Sequence, residues 1–255
     1  MSLRETPFVV RNIISSSYGN DSVALIQWAH EQDLRAVTVV YCNTGWGSPG
    51  WPQRVERGEK LAESYGFHTM QQRSIGMEEL VTIKKGWPGN AQQFCTAHLK
   101  GLPFIECADR IDINCEAVVL IGKRRAESPK RKNTPEFIES SEYHSGRKVW
   151  HPLFMHSDEQ RNELLDRAGF EPLPHRSLEC NPCVNANRGD IHRLTAGEVS
   201  RVSALEVKIG KPMFRPKRFG AVGIYGVREW AFNGRDKGTF EDEESACAGL
   251  FGCGL

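Results

Sequence analysis

Cysteines in loop-like stretches are the first residues of this chain that suggest chemistry. Cys180 and Cys183 enclose two residues and form a C-x-x-C motif. This spacing occurs in thioredoxin-like redox pairs, zinc half-sites and iron–sulfur half-sites, and the motif alone does not decide between them. A closed zinc site needs four N or S ligands, whereas a cluster takes thiolates from distant loops. Three more cysteines in loop-like stretches are further candidate ligands: Cys95, Cys247 and Cys253.

A short run of small and polar residues, 17–22 (Ser-Tyr-Gly-Asn-Asp-Ser), is the second such feature. It lies between an apolar, β-branched run and apolar residues of helical period, so residues 9–28 are predicted to form a strand, a loop and a helix. The N–H groups that open a helix suit phosphate, and Ser17 and Ser22 add hydroxyl donors. The alternative is an ordinary βα turn in which Asp21 or Ser22 caps the helix.

Two basic stretches are the third feature. Six of the ten residues 123–132 are Lys or Arg, and they directly follow the apolar run 117–122. Because a buried strand is predicted for that run, we favour an anion-binding role over a solvated surface loop. A second basic stretch covers residues 208–218. Aromatic residues in and after it suit either nucleic acid or a small C-terminal core: Phe214, Phe219, Tyr225 and Trp230.

Alternating strands and helices are predicted to position these features. The hydrophobic patterns place strands near 9–16, 36–41, 68–71 and 117–122, and helices near 51–65 and 77–84. This alternation predicts an α/β fold with a doubly wound, mostly parallel five-stranded sheet and helices on both faces. Ligands of such sheets bind beyond the carboxyl ends of the strands. We expect one domain over residues 1–195, and a C-terminal helical and irregular extension with a cysteine-containing tail over 196–255.

The composition is that of an ordinary globular protein. The chain has 255 residues, 39% hydrophobic and 25% charged, with a formal net charge of +1. No apolar run approaches the roughly 20 residues of a membrane span, and the N-terminus lacks a secretory signal. A cytoplasmic location without a membrane partner is therefore expected, and disulfides are rare there. The cysteines in or beside apolar stretches are interpreted as small buried hydrophobes: Cys42, Cys107 and Cys115.

Four motifs resemble one enzyme superfamily. Residues 17–22 are similar to the S-x-G-x-D-S loop of the adenine-nucleotide alpha hydrolases, which include ATP pyrophosphatases and phosphoadenylyl-sulfate (PAPS) reductases. Residues 95–103 resemble the C-C-x-x-x-K-x-x-P segment of adenylyl-sulfate (APS) reductases, with Thr96 replacing the second Cys. Residues 122–128 resemble the G-x-R-x-x-[EQ]-S sulfonucleotide loop, and 43–45 resemble a D-T-G loop with Asn43 replacing Asp. The matches follow the family order over roughly residues 10–195.

This resemblance implies a nucleotide site and a 4Fe-4S cluster. The implied cluster ligands are Cys95, Cys180 and Cys183, and the fourth position is Cys253, Cys247 or open. Many members have Lys where this chain has Asn20. The residues implied to bind the adenine nucleotide are Ser15, Ser17, Tyr18, Gly19, Asn20, Asp21, Ser22, Asn43, Thr44, Gly45, Gly122, Arg124, Glu127, Ser128 and Arg131.

Three functions remain under this resemblance. We prefer an ATP pyrophosphatase that uses ATP and Mg²⁺ to adenylate an acceptor oxygen for sulfur insertion, with Asp21, Lys100 and Arg124 as implied catalytic residues. The alternative is an APS/PAPS (sulfonucleotide) reductase with Cys253, in the C-G-L tail, as nucleophile. The third is a non-catalytic nucleotide- or cluster-binding scaffold, motivated by Asn20 and Asn43.

Partners follow from the preferred function. The second basic stretch favours a nucleic-acid acceptor, for which the resemblance points to phosphorothioation of the DNA backbone or thiolation of a base. A cysteine desulfurase is then the implied sulfur donor. The oligomeric state stays open between a monomer and a homo-oligomer.

Overall fold

A six-stranded sheet forms the centre of the molecule. The structure, a computed structural model, describes residues 11–89, 92–127, 131–214 and 223–233. The strands are β1 (Asn12–Ser16), β2 (Val37–Asn43), β3 (His68–Arg73), β4 (Val118–Ile121), β5 (Phe137–Ile138) and β6 (Val149–Trp150). Their order is β3-β2-β1-β4-β6-β5, and all neighbours are parallel except β5 and β6. The predicted mostly parallel α/β sheet is confirmed, although it has six strands rather than five. The hydrophobic patterns of the sequence indicate no strand at β5 or β6, because each has only two residues and is too short for a periodic pattern.

Helices connect and follow the strands. They are α1 (Asn20–Glu31), α2 (Trp51–Ser64), α3 (Met77–Lys84), α4 (Phe94–Thr96), a π-helical turn (Ala97–Gly101), α5 (Leu102–Ile111), α6 (Asp158–Arg167), α7 (Arg188–His192), α8 (Ala196–Ile209) and α9 (Gly223–Asn233). The sequence patterns S-x-x-Q at 157–160 and T-x-x-E at 195–198 predict capping boxes, and these boxes open α6 at Ser157 and α8 at Thr195. No helix in the described ranges is both long and apolar enough to cross a bilayer.

Helices cover both faces of the sheet, as predicted. Ile14 of β1 joins one apolar cluster with residues of α1, α2 and α6. Its neighbour Ile13 points to the other face and joins a cluster with Phe104 of α5. Because successive side chains of a strand alternate, the apolar run in β1 supplies both clusters. Cys42 and Cys107 are buried in the second cluster, whereas Cys115 is only half-buried.

A third apolar cluster lies beside the sheet and includes the C-terminal helices. Trp46, α3 and Leu99 pack there against Val202 of α8 and Ile224 of α9. The cluster therefore contains residues from both sides of the expected boundary at residue 195. The division into a domain and an extension stays a prediction.

Candidate functional site

A cavity of about 400 Å³ opens at the carboxyl edge of the sheet, beyond β1 and β4. This is the edge at which open α/β sheets bind ligands, and the volume lies within the usual range for ligand pockets. Most of the predicted site residues line this one cavity: Ser17, Gly19, Asn20, Asp21, Ser22, Cys95, Lys100, Gly122, Arg124, Glu127, Arg131, Cys180 and Cys183.

Other predicted residues lie elsewhere. Among the described residues, five with an implied nucleotide role are absent from the cavity lining: Ser15, Tyr18, Asn43, Thr44 and Gly45. Ser15 is buried within β1. Ser128, Cys247 and Cys253 lie outside the described residues, so the structure gives no placement for the implied fourth ligand or nucleophile.

The loop between β1 and α1 is held by its own serines. The Ser17 N–H donates to Ser22 Oγ at 3.1 Å, and the Gly19 N–H donates to Ser17 Oγ at 3.3 Å. Helix α1 begins at Asn20 with Gly19 as N-cap and without a side-chain cap, so the interpretation of Asp21 or Ser22 as the cap is wrong. The first N–H groups of α1, which have no intrahelical acceptor, lie where the cavity begins.

Tyr18 belongs to the apolar core. Its φ of +55° turns the side chain inward, where the ring is fully buried at 5.8 Å from Tyr41. A Cβ on Gly58 of α2 would lie 2.2 Å from this ring, so only glycine lets α2 approach so closely. The Arg54 Nε donates to the Tyr18 carbonyl at 2.7 Å. The Tyr18 side chain thus fixes the shape of the loop from behind the cavity.

Asn20 bonds to a distant segment of the chain. Its Nδ2 donates to the Leu173 carbonyl at 3.0 Å, and its Oδ1 accepts from the Leu173 N–H at 2.9 Å. Leu173 begins a stretch, residues 173–179, that lies over the β1–α1 loop and is here named the strap. The strap supplies lining residues that the sequence analysis did not identify: Leu173, Pro174, His175, Arg176, Ser177 and Glu179.

Gly122 allows a close main-chain approach after β4. A Cβ at this position would lie 2.7 Å from the Asp21 carbonyl oxygen. Because the atom it would meet is main chain, neither partner can rotate away. Gly122 therefore brings the basic loop into contact with the first turn of α1.

The cations of the cavity are paired with carboxylates. Arg124, which is 2% exposed, contacts Asp21 through Nε and Asp158 through Nη2, the latter at 2.9 Å. Arg131 pairs with Glu127, and burial raises the pKa of that carboxyl to about 7. These pairs hold guanidinium groups at the wall where an anion would bind.

Two further arginines of the cavity were missed by the sequence analysis. Arg161 of α6 approaches Asp21 at 3.6 Å, and Arg176 of the strap pairs with Asp190 at 2.9 Å. Arg161 follows a predicted helix cap, so a helical projection would have placed it near the opening of α6. No local pattern marks Arg176.

The C-x-x-C segment is attached to the loop that follows β2. Thr44 Oγ1 donates to the Glu179 carbonyl at 2.6 Å, and the Asn181 N–H donates to the Trp46 carbonyl at 2.8 Å. Trp46 also forms an isolated parallel bridge with Cys180. The implied nucleotide loop 43–45 is thus joined to the cysteine segment through Thr44.

A buried ion pair adjoins the cysteines. Lys100, on the π-helical turn, pairs with Glu179, and both side chains are 7% exposed. Burial disfavours the charged ammonium, but the Glu179 carboxylate outweighs this and holds the pKa of Lys100 above its ordinary value. Burial raises the pKa of the Cys180 thiol to about 12.

The three described candidate ligands share the cavity. Cys95, Cys180 and Cys183 all line it. Within the described ranges, no group of three or more His, Cys, Asp or Glu side chains is arranged to hold a single metal ion. Thiols from separate parts of the chain, one on α4 and two in the C-x-x-C segment, fit the ligation of an iron–sulfur cluster, in which the thiolates bind different irons.

Comparison with known families decides the relationship. The model of the phosphoadenosine phosphosulfate reductase domain matches residues 11–205. The chain belongs to this family. This match confirms the predicted resemblance to the PAPS reductases. A comparison with curated proteins gives no match.

Three solved structures show similarity to the chain. The PAPS reductase of Candida auris in a phosphate complex is 15% identical, with 67% of this chain and 83% of that chain covered and a TM-score of 0.46. The NMN synthetase of Francisella tularensis is 11% identical, with coverages of 81% and 89% and a TM-score of 0.47. The U34-tRNA thiolase NcsA of Methanococcus maripaludis with its [4Fe-4S] cluster is 13% identical, with coverages of 87% and 71% and a TM-score of 0.44.

Proposed function

We propose that this protein is an ATP pyrophosphatase that adenylates an acceptor oxygen and so prepares it for replacement by sulfur. The observation that carries the proposal is the single cavity lined both by the loop 17–22 and by Cys95, Cys180 and Cys183. The nucleotide and the sulfur chemistry would then meet in one enclosure. Membership of the phosphoadenosine phosphosulfate reductase domain family supports a nucleotide as the ligand.

The chemistry assigned to the cavity is an attack on the α-phosphorus of ATP. The acceptor oxygen forms a P–O bond, the bond to the β-phosphate oxygen breaks, and pyrophosphate leaves. A sulfur nucleophile then displaces AMP from the adenylated acceptor. A Mg²⁺ ion bound with the ATP would neutralise phosphate charge.

Three cations of the cavity have a place in this proposal: Lys100, Arg124 and Arg131. Arg124 and Lys100 stabilise charge that develops on the phosphate oxygens. Asp21, one of the implied catalytic residues, pairs with Arg124 and in this proposal orients that guanidinium. Glu127 does the same for Arg131. The first turn of α1 supplies main-chain N–H donors.

The cysteines would hold the cluster. Cys95, Cys180 and Cys183 are the proposed ligands, with the fourth position open or filled by Cys253 or Cys247. A cluster with an open position supplies a place for the sulfur that is transferred. This chain's own residues fix the cysteine segment through Thr44, Trp46 and the pair of Lys100 and Glu179.

A nucleic acid is the proposed acceptor, and a cysteine desulfurase is the proposed sulfur donor. Support comes from the basic stretch 208–218 and from helix α9, on which Tyr225 is 62% exposed and Phe232 51% exposed. Exposed aromatic rings beside cations suit the stacking of unpaired bases. The buried positions of Ile224 and Val227 on the same helix match the alternative of a small C-terminal core.

Substitutions of two neighbouring arginines test the proposed pyrophosphatase activity. With ATP and Mg²⁺, the protein is expected to release AMP and pyrophosphate. Arg124→Gln should slow this release by about 10²-fold or more, because charge stabilisation in the cavity is lost. Arg125→Gln is the matched control, since Arg125 is exposed and does not line the cavity. Equal loss in both variants, or no AMP from the wild-type protein, would contradict the proposal.

Two cysteine variants test whether the protein holds an iron–sulfur cluster. Anaerobically purified protein should be brown and contain iron and sulfide, and Cys180→Ser should lose the colour. Cys115→Ser, at a half-buried position in the turn before β4, should keep it. A colourless protein with stoichiometric zinc would reverse the assignment.

The second candidate function is a sulfonucleotide reductase, which the family match favours. In that case thiol-dependent release of sulfite from APS or PAPS should be observed, and Cys253→Ser should abolish it. Without either activity, the non-catalytic scaffold would be the remaining function.

A further inference from the structure

We propose that Ser177 of the strap is a phosphate ligand, so that the nucleotide's phosphates are held between the loop 17–22 and the strap. This inference rests on the proposed function in one respect, namely that the cavity binds a nucleotide. It assigns a role to a residue outside all four family-like motifs.

The hydroxyl of Ser177 is enclosed and has no hydrogen-bond partner among the described residues. A buried hydroxyl without a partner costs about 1–3 kcal/mol, and native structures keep few of them. Ser177 also lines the cavity. A phosphate oxygen in the cavity would supply the missing acceptor after rotation of the side chain about χ1.

The position of Ser177 is fixed against the β1–α1 loop. A Cβ on Gly19 would lie 3.1 Å from Ser177 Cβ and 3.6 Å from Ser177 Oγ. The Ser177 hydroxyl therefore lies within a few ångströms of the backbone that opens α1. A phosphate bound by the first turn of α1 is within reach of this hydroxyl.

Two anchors hold the strap over the loop. At its start, Leu173 exchanges two hydrogen bonds with the Asn20 amide. At its end, the Glu179 carbonyl accepts from Thr44, and the Glu179 carboxylate pairs with Lys100. Between these anchors, the Ser48 N–H donates to the Leu178 carbonyl at 2.9 Å. The side-chain amide of Asn20 thus joins the strap to the loop 17–22, and the hydroxyl of Ser177 is the phosphate ligand that the strap contributes.

The test compares binding with stability in Ser177→Ala. Titration calorimetry with ATP and Mg²⁺ should show affinity weakened by about tenfold, the usual effect of one hydrogen bond to a charged group. Without nucleotide, the variant should unfold at the same urea concentration as the wild-type protein or a higher one, because an unpartnered hydroxyl is removed. A purely structural serine would instead show lower stability.

Ser64→Ala is the matched control. Ser64 ends α2, is exposed, donates to the Leu61 carbonyl and does not line the cavity. Its removal should leave the affinity unchanged. Equal affinities of the wild-type protein and Ser177→Ala for ATP would overturn the role of Ser177 and leave the pyrophosphatase proposal standing.

Binding of APS or PAPS distinguishes failure of the pyrophosphatase proposal from failure of the role of Ser177. If the wild-type protein binds APS or PAPS and not ATP, the pyrophosphatase fails, and the same comparison is made with the nucleotide that binds. About tenfold weaker binding by Ser177→Ala would then still support the phosphate role. Binding of none of the three nucleotides by the wild-type protein would overturn both proposals.

Discussion

Single residues at this site have structural partners that their types alone do not reveal. The resemblance of residues 17–22 to the adenine-nucleotide alpha hydrolases led us to expect Lys at position 20, whereas the Asn20 amide of this chain bonds to the main chain of Leu173. A lysine ammonium has no acceptor and cannot make both of these bonds. At position 20 this chain therefore has an amide that tethers the loop to the strap and not a cation. The neighbouring cations Arg124 and Arg161 remain at the cavity.

Gly122→Ala is expected to destabilise the protein by about 1–3 kcal/mol, the usual cost of overpacking. The new Cβ would lie 2.7 Å from the Asp21 carbonyl, so the loop and α1 must move apart. Nucleotide affinity should also fall, because the loop and α1 both line the cavity. The midpoint of urea unfolding measures the first effect.

Gly197→Ala serves as the control for Gly122→Ala. Gly197 lies in the first turn of α8, and a Cβ there would meet nothing within 4 Å. Alanine is the better helix former, so this variant should be equally stable or more stable. Similar destabilisation of both variants would show that the close approach at Gly122 is unimportant.

At the scale of elements, the sheet was predictable and the strap was not. The apolar runs of β1, β2 and β4 and the capping boxes of α6 and α8 are local signals, and they were found in the sequence. The strap has no periodic pattern, and its anchor to Asn20 spans 153 positions of the chain. The loop 43–45 was assigned to the nucleotide because its motif resembles such a loop. The structure bonds this part of the chain to the cysteine segment, an attachment that no local pattern indicates, and the nucleotide role of residues 43–45 stays a prediction.

Two threonines on and after β2 test this attachment. Thr44→Val should lower the free energy of unfolding by about 1–3 kcal/mol, because the Glu179 carbonyl and the Trp46 N–H both lose a partner. Iron bound by the anaerobic protein should fall as well, since the cysteine segment loosens.

Thr38→Val is the same type of substitution, but here we expect no loss of stability. Thr38 is fully buried in β2, and its hydroxyl has no partner in the described part of the chain. Valine there removes an unpaired polar group and should leave stability unchanged or raise it. Urea unfolding of both variants measures the difference. A larger loss for Thr38→Val than for Thr44→Val would contradict the assigned hydrogen bonds.

Considered as a whole, the molecule contains buried groups that make its stability depend on pH. His144 and His151 are 5% and 2% exposed, and burial lowers the pKa of each imidazole from 6.5 to about 4. Each lies outside the cavity lining. Buried histidines favour the neutral form, so the unfolded chain binds protons more readily than the folded one over this range.

Stability should therefore fall as the pH is lowered from about 6.5 to about 4, by up to about 3 kcal/mol for each histidine. Glu127 acts in the opposite sense. Its pKa, raised from 4.5 to about 7, gives stability that is present below pH 4.5 and lost as the pH rises through 7.

Urea unfolding at several pH values measures these effects. His144→Gln should show a smaller loss between pH 6.5 and 4 than the wild-type protein. The exposed His30 provides the control variant His30→Gln, which removes a histidine from the surface. An equal slope for His144→Gln and the wild-type protein would contradict the assigned pKa.

The bridge between Trp46 and Cys180 bears on which positions of this site can change independently during evolution. The ring nitrogen of Trp46 donates to the Pro182 carbonyl at 3.0 Å, and Arg201 of α8 lies over the same ring. The stretch with two thiols is thus fastened to the first half of the chain and to a late helix at once. Residues 180–183 alone cannot be transferred into a relative with their packing intact, because the Trp46 ring and the Arg201 side chain that hold them come from other parts of the chain. Substitutions at positions 46, 180–182 and 201 should be inherited together.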